Sequence, residues 1–198
     1  MLQAFIERHP LATLVAMTAG GLAADHVPIR AQLEAGGGGL LRGHIARANS
    51  LWRALEPRAT VLAVFTGADT YVSPAWYPSK REHGKVVPTW NYAAVHVRGG
   101  IRFVEEASWL REFVGSLTDE HERGRSAPWS VSDAPADYIE AMLRAIVGFE
   151  IEISEVVGKF KGSQNRPAAD RVAVREALRG AGRSADEIAE LVPDPGPS

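Results

Sequence analysis

Cysteine is absent from this chain, which removes disulfides, thiolate nucleophiles, iron–sulfur clusters and thiolate-ligated haem. Any metal chemistry has to rest on histidine and carboxylates. No apolar run is long enough to span a bilayer, and the opening MLQAFIERHP carries Glu7, Arg8 and His9 too early for a secretory signal. A cytoplasmic protein without a membrane partner is therefore expected. An excess of one charge is missing too: a net charge of −2 over 198 residues supplies no overall field for nucleic acid. The chain also lacks a GxGxxG after a strand, a GxxxxGK[ST] loop, HExxH and GxSxG, so neither nucleotide fingerprint, nor a zinc peptidase helix, nor a serine nucleophile elbow is available. No helix-turn-helix pattern is present, and DNA binding is not supported by the residues.

What is present is ordinary for a soluble globular protein: 45% hydrophobic and 23% charged residues, with no compositional break. One domain over 1–192 is expected, followed by a flexible Pro-rich tail at 193–198. Leu2–His9 reads as a short helix. Leu11–Thr18 and Leu22–Ile29 read as a hairpin across Ala19-Gly20-Gly21. Leu22, Ala24, His26 and Pro28 share one face, and Pro28 argues for a strand end or an edge. Leu40–Ala46 is a strand that places His44 on the face of Leu40 and Arg42. Asn49 can cap a helix containing Leu51, Trp52 and Leu55. Arg58–Thr66 holds a buried strand.

Further on, Trp90–Arg98 and Ile101–Glu105 are expected as a hairpin turning at Gly99-Gly100. Ala107–Leu117 carries a helical apolar stripe, and Ser132 or Asp133 can cap the next helix, which repeats it at Tyr138, Ile139, Met142, Leu143 and Ile146. Gly148–Val156 alternates Phe149, Ile151 and Ile153 with Glu150, Glu152 and Ser154, and Lys159–Ser163 can extend it as a basic strand. Pro167 suits the start of a helix reaching about Gly180. Ser184 with Glu187 suits a capping box for a last one. About seven strands with inserted helices, and no regular βαβ alternation, point to an antiparallel α+β barrel.

The chemistry concentrates in Tyr71–Gly99, YVSPAWYPSKREHGKVVPTWNYAAVHVRG. Trp76, Tyr77, Trp90 and Tyr92 there lie beside Lys80, Lys85, Thr89 and Asn91, with the polar loop Ser79–Lys85 between. Aromatic faces with a few amide and ammonium donors are what a planar charged ligand needs; an aromatic cap on a barrel is the alternative. Two places can take a phosphate: Arg47, Asn49 and Ser50, where a strand opens into a helix, and Ser163–Arg166 ahead of Pro167. Plain helix capping accounts for the same residues. His44, His26 and His96 are mid-strand histidines, each a ligand or a half-buried core residue. Arg171, Arg175, Arg179 and Arg183 recur every four residues, but Gly180 and Gly182 interrupt a continuous stripe, and Asp170, Glu176, Asp186 and Glu187 dilute it.

YVSPAWYPSK followed by EHGKVVPTWNYAAVH resembles the PaiB-type family of FMN-binding negative transcriptional regulators. So do GHIARANSLW at Gly43–Trp52, PWSVSDAPADYIEAMLRAIVGFEI at Pro128–Ile151 and GKFKGSQNRP at Gly158–Pro167, in which Gly162 stands where members usually carry an apolar residue. The resemblance implies a flavin-reductase-like split barrel that forms homodimers with the cofactor site at the subunit interface. It implies FMN as cofactor, with Arg47, Asn49, Lys161 and Asn165 toward the phosphate, Trp76, Tyr77, Thr89 and Asn91 around the ring, and Lys80 and Gln164 as further polar contacts. Piperazate synthases resemble the same family and are haem enzymes that close the N–N bond of N5-hydroxyornithine. On that alternative His44 is the first choice of axial ligand to the metal and His26 the second, with the polar residues of Ser73–Lys85 binding the substrate.

Overall fold

The computed structural model describes residues 1–194, and the end of the expected tail, 195–198, lies outside the described residues. Helix α1 (Leu2–Arg8) leads into strands β1 (Leu11–Thr18), β2 (Gly21–Leu33) and β3 (Gly39–Ala46), then the single turn of helix α2 (Leu51–Ala54) and strand β4 (Thr60–Val72). Helix α3 (Ser79–His83), strand β5 (Thr89–Val104), helices α4 (Ala107–Glu122) and α5 (Ala136–Arg144), strand β6 (Ile146–Lys161) and helices α6 (Ala168–Leu178) and α7 (Arg183–Leu191) complete the order. The strands follow one another around an antiparallel barrel in the order β1-β2-β3-β6-β5-β4. The expected α+β barrel is what forms.

The chain divides into two compact units, one of Met1–Phe65 with His96–Val157 and one of Thr66–Val95 with the chain from Gly158 onward. The first unit holds the barrel interior. Ala12, Leu14 and Ala16 of β1, Val27, Ile29 and Ala31 of β2, and Leu41 and Ile45 of β3 are buried at alternate positions, as a period of two requires when one face is apolar. Pro28 does not end its strand, which runs on to Leu33. It is the last β2 residue paired with β1, opposite Leu11, and from Ile29 onward β2 pairs with β3 instead. A residue without a ladder donor is tolerated at such a changeover. Helix α4 lies on the barrel through Trp109, whose ring occupies the space a Cβ on Gly148 would need, at 2.3 Å. The same ring stacks on Phe113 at 5.1 Å.

Three expectations are corrected. Gly99-Gly100 makes no hairpin: β5 runs straight through both glycines, because a Cβ on Gly99 would sit 2.2 Å from the Glu152 carbonyl of β6, so the glycine serves close strand approach and not a turn. That merges two expected strands, and six are found among the described residues. Ser132 and Asp133 do not cap α5. Ser130 and Asp133 form a capping box on a short 3₁₀ turn at Val131–Asp133, and α5 starts after Pro135. Ser184 lies inside α7, whose first residue follows Gly182, and no side chain caps it. No helix among the described residues is long and apolar enough to cross a membrane.

The second unit is built on apolar packing of α6 and α7. Val174, Leu178, Ile188, Ala189 and Val192 surround Val72 and Tyr77, and the partly buried Trp76 packs against them. Just before the expected tail, Val192 is buried and its carbonyl accepts from Arg175, which also pairs with Asp194 of the tail at 3.3 Å.

Candidate functional site

The second unit gathers most of the central stretch around one polar seam. Thr89 and Asn91 come from β5; Lys161 and Ser163 come from the end of β6 and the turn after it. Lys161 Nζ donates to Thr89 Oγ1 at 2.6 Å. Asn91, fully buried, donates from Nδ2 to Ser163 Oγ at 2.9 Å, while that hydroxyl faces Asn91 Oδ1 at 3.3 Å. A buried amide without partners would cost about 1–3 kcal/mol, so this pairing fixes where the strand end sits.

Ser163 takes φ 61°, in the left-handed region, and turns the chain so that Arg166 N–H reaches its carbonyl at 3.0 Å. Gln164 braces the same turn, accepting from Gly162 N–H at 2.8 Å and donating to the Phe160 carbonyl. Gly162 is held from the other side: a Cβ there would lie 2.4 Å from the Leu191 carbonyl at the end of α7. Asn165 is exposed beyond it.

The aromatic side of the seam is partly committed to the core. Tyr77 is 2% exposed, with the Arg166 guanidinium 4.6 Å over its ring. Burial raises its phenol above the ordinary value, against the opposing effect of the arginine. Trp76 keeps a half-exposed face. Ser79–Lys85, expected as a loop, holds α3 instead, anchored by Ser79, whose N–H and hydroxyl both go to the Asp170 carboxylate at 3.1 and 2.7 Å. Asp170 is 1% exposed. In the sequence it stands only as one of the acids diluting the arginine stripe. Its place, facing the first helix turn, and the YPSK motif were the available signals, but no spacing links residues so far apart. Lys80 is exposed on α3.

The remaining expected residues lie in the first unit, and their side chains are largely spent. Arg47 donates from Nε to the Arg144 carbonyl at 2.8 Å and from Nη2 to the Ile146 carbonyl at 3.2 Å, and pairs with Glu105. Its guanidinium also lies 5.7 Å from the Trp52 ring centre, so it braces β3 against the start of β6. Asn49 accepts from Leu51 N–H at 2.8 Å and donates to Asp25 at 3.0 Å, while the N-cap position of α2 falls to Ser50 and not to Asn49. His26 does not line the barrel interior. It is exposed on the outer face of β2, since Val27 and Ile29 point inward. His44 likewise points out of the barrel, under α4, with its ring 6.0 Å from that of Phe113. Its Nδ1 has no partner among the described residues, and burial lowers its pKa below the usual 6.5. No group of three or more His, Asp or Glu side chains among the described residues could hold a metal ion.

Chemically, the seam offers hydrogen-bond donors. The Lys161 ammonium has three donors and spends one on Thr89. Lys161 is half-buried and Asn165 and Gln164 are exposed beside it, a set of donors suited to a phosphate or carboxylate, with Trp76 as the half-open aromatic surface.

Residues 1–155 match the family model described as "Putative FMN-binding domain". The chain is 32% identical over 191 residues to the protease synthase and sporulation protein PAI 2 of Bacillus subtilis, covering 96% of this chain and 89% of that one. Among solved structures, the FAD and haem binding protein from Mycobacterium smegmatis has a TM-score of 0.59 at 18% identity, covering 92% of this chain and 77% of that one. The flavocytochrome Anf3 from Azotobacter vinelandii has a TM-score of 0.56 at 19% identity, with 81% of this chain matched and only 65% of that chain's length spanned. At such identities these neighbours speak for the fold, the split barrel that the sequence motifs implied. With a family model over most of its length and PAI 2 as a relative along nearly all of it, the chain belongs to the PaiB-type FMN-binding domain family.

Proposed function

We propose that this protein binds FMN at the polar seam of its second unit and does so as a homodimer. The observation that carries the reading is the Lys161–Thr89 contact at 2.6 Å, which holds a half-buried ammonium at the strand end with donors to spare. Lys161 and Asn165 would take the phosphate, with Gln164 holding the turn that presents them, and Trp76, Thr89 and Lys80 would border the ring system. Tyr77 and Asn91, both buried, would support these from behind. Arg47 and Asn49 leave the list of phosphate donors, because their side chains already serve the protein. Bound FMN would supply reversible one- and two-electron transfer.

The dimer reading rests on the outer face of β4, β1 and β2. Leu11, Thr13, Val15 and Met17 face outward on β1, Leu22, Ala24 and His26 on β2, and Leu62 and Val64 on β4, a set without Asp, Glu, Lys or Arg whose polar members Thr13 and His26 are paired across the ladder. Leu22 is 74% exposed, Met17 64% and Leu11 60%. A mostly apolar sheet face of this kind is suited to an interaction surface. A cytoplasmic location and a regulatory role remain part of the proposal. The role is supported by the relationship to PAI 2, not by the arginines of α6 and α7, where Arg175 pairs with Asp194 and Arg183 with Glu187.

The unpartnered Nδ1 of His44 favours a second reading, with haem as cofactor and N5-hydroxyornithine as substrate. Against it, Phe113 lies beside that imidazole. One experiment separates the two: the absorption spectrum of the purified protein through gel filtration, after separate additions of FMN and haemin. Co-eluting flavin bands, with affinity reduced about tenfold or more in Lys161→Ala, are expected, as for loss of a charged hydrogen bond. Unchanged FMN affinity in that variant removes the seam as the site. A retained Soret band that vanishes in His44→Ala establishes the haem reading instead.

A further inference from the structure

In the β2–β3 ladder Arg30 stands directly opposite Arg42. Both side chains lie on the outer face, because Ile29, Ala31 and Leu41 are buried inside the barrel. Like charges at directly opposed positions repel each other. Two glutamates offset the repulsion in part: Arg30 Nε lies 3.2 Å from Glu120 of α4, and Arg42 Nε lies 2.9 Å from Glu150 of β6. Glu150 is itself shared with Arg102. The row Arg30, Arg42, Glu150 and Arg102 thus keeps an excess of positive charge across neighbouring strands.

A guanidinium has five N–H donors in a fixed fork that matches a carboxylate. Arg30 spends Nε on Glu120 and one Nη1 donor on Ser116 Oγ at 3.0 Å; Arg42 spends Nε on Glu150. The other donors belong to side chains that are 48% and 43% exposed. They border a cleft of about 530 Å³ among α1, the far end of the β2–β3 pair and the second half of α4, within the range of small-ligand sites. Leu33, Leu40 and Leu117 give this cleft an apolar wall, and Arg123 adds a further positive charge to its lining. Of its acidic residues, Glu120 is the partner of Arg30, and Glu7 accepts from Gln3 Nε2 at 2.9 Å.

We propose that this cleft is a binding site for a small amphipathic carboxylate, whose carboxylate bridges Arg30 and Arg42 while its hydrocarbon or aromatic body lies on Leu40 and Leu117. The anion removes the like-charge opposition built into the ladder, and the rigid anchoring of both arginines by α4 and β6 prepays their ordering. The site is independent of the FMN reading, since none of its residues belongs to the second unit.

Isothermal titration calorimetry with sodium octanoate, and separately with 1-octanol, tests it. Saturable binding of octanoate is expected, with octanol weaker by about tenfold or more, the loss of a charged hydrogen bond. Arg30→Gln and Arg42→Gln should each weaken octanoate by a similar factor, while circular dichroism stays native. Arg30→Lys, which keeps the charge but not the fork, should retain more affinity than Arg30→Gln. Without octanoate, Arg30→Gln should leave the melting temperature unchanged or raised. Absence of saturable octanoate binding, equal affinity for octanol, or full affinity in the Arg30→Gln/Arg42→Gln double variant overturns the proposal. So does competition between FMN and octanoate, which would make the cleft part of the cofactor site.

Discussion

At the scale of single residues, the decisive side chains are those whose partners lie far along the chain. Asp170 is nearly fully buried and takes both polar hydrogens of Ser79. Ser79→Ala removes the hydroxyl donor and leaves the carboxylate short of a partner, so a loss of about 1–3 kcal/mol is expected in urea denaturation. His44 gives a pH signature. Its folded pKa lies below the usual 6.5 because burial disfavours the charged ring. As pH falls below that value the unfolded chain takes up a proton that the folded protein refuses, so stability is full above 6.5 and declines toward the lower folded pKa. Unfolding followed from pH 7.5 to pH 5 should show this decline, and His44→Phe should flatten it; an equally steep decline in that variant would assign it to other groups.

At the scale of elements, periodicity made most of the strands and helices legible before the structure was known. The alternation of Phe149, Ile151 and Ile153 fixed the face of β6, and the apolar stripe of α4 fixed its own, whereas in α5 only Ile139 and Leu143 of the expected stripe are buried, Tyr138 and Met142 are exposed and Ile146 opens β6. Glycine was the residue misread. Its local meaning is a turn, yet Gly99 sits inside β5 because a neighbouring strand leaves no room for a side chain. Gly162 follows the same logic against α7. Placing a methyl 2.4 Å from the Leu191 carbonyl forces α7 away from the turn that carries Ser163 and Gln164. Gly162→Ala should cost about 1–3 kcal/mol, as other overpacked positions do. Hydrogen exchange should show the loss concentrated in Leu191–Val192, and uniform loss along the chain would contradict the contact as its cause.

At the scale of the whole molecule, the outer face where β1 pairs with β4 and with the Leu22–His26 half of β2 is the feature with a consequence for assembly. Met17 and Leu22 are opposed across the β1–β2 ladder and strongly exposed. Met17→Glu with Leu22→Glu should turn a dimer into a monomer in light scattering while leaving the far-ultraviolet circular dichroism unchanged. If the wild type already runs as a monomer, that face does not join two copies.

By itself the sequence determined the family, through long motifs, and the barrel class, through a hydrophobic period of two that only a one-sided sheet satisfies. It also marked Thr89, Asn91, Lys161 and Gln164, which the folded chain does bring together. Tertiary structure alone decided which polar groups remain free to bind anything. Arg47 looks available in the sequence and is consumed by main-chain carbonyls near residue 145; Arg30 and Arg42 look like scattered surface charge and become a facing pair. The reason is physical: periodicity fixes the face a side chain occupies, whereas hydrogen-bond partners and cross-strand register depend on contacts between distant parts of the chain, set by the packing of the whole barrel.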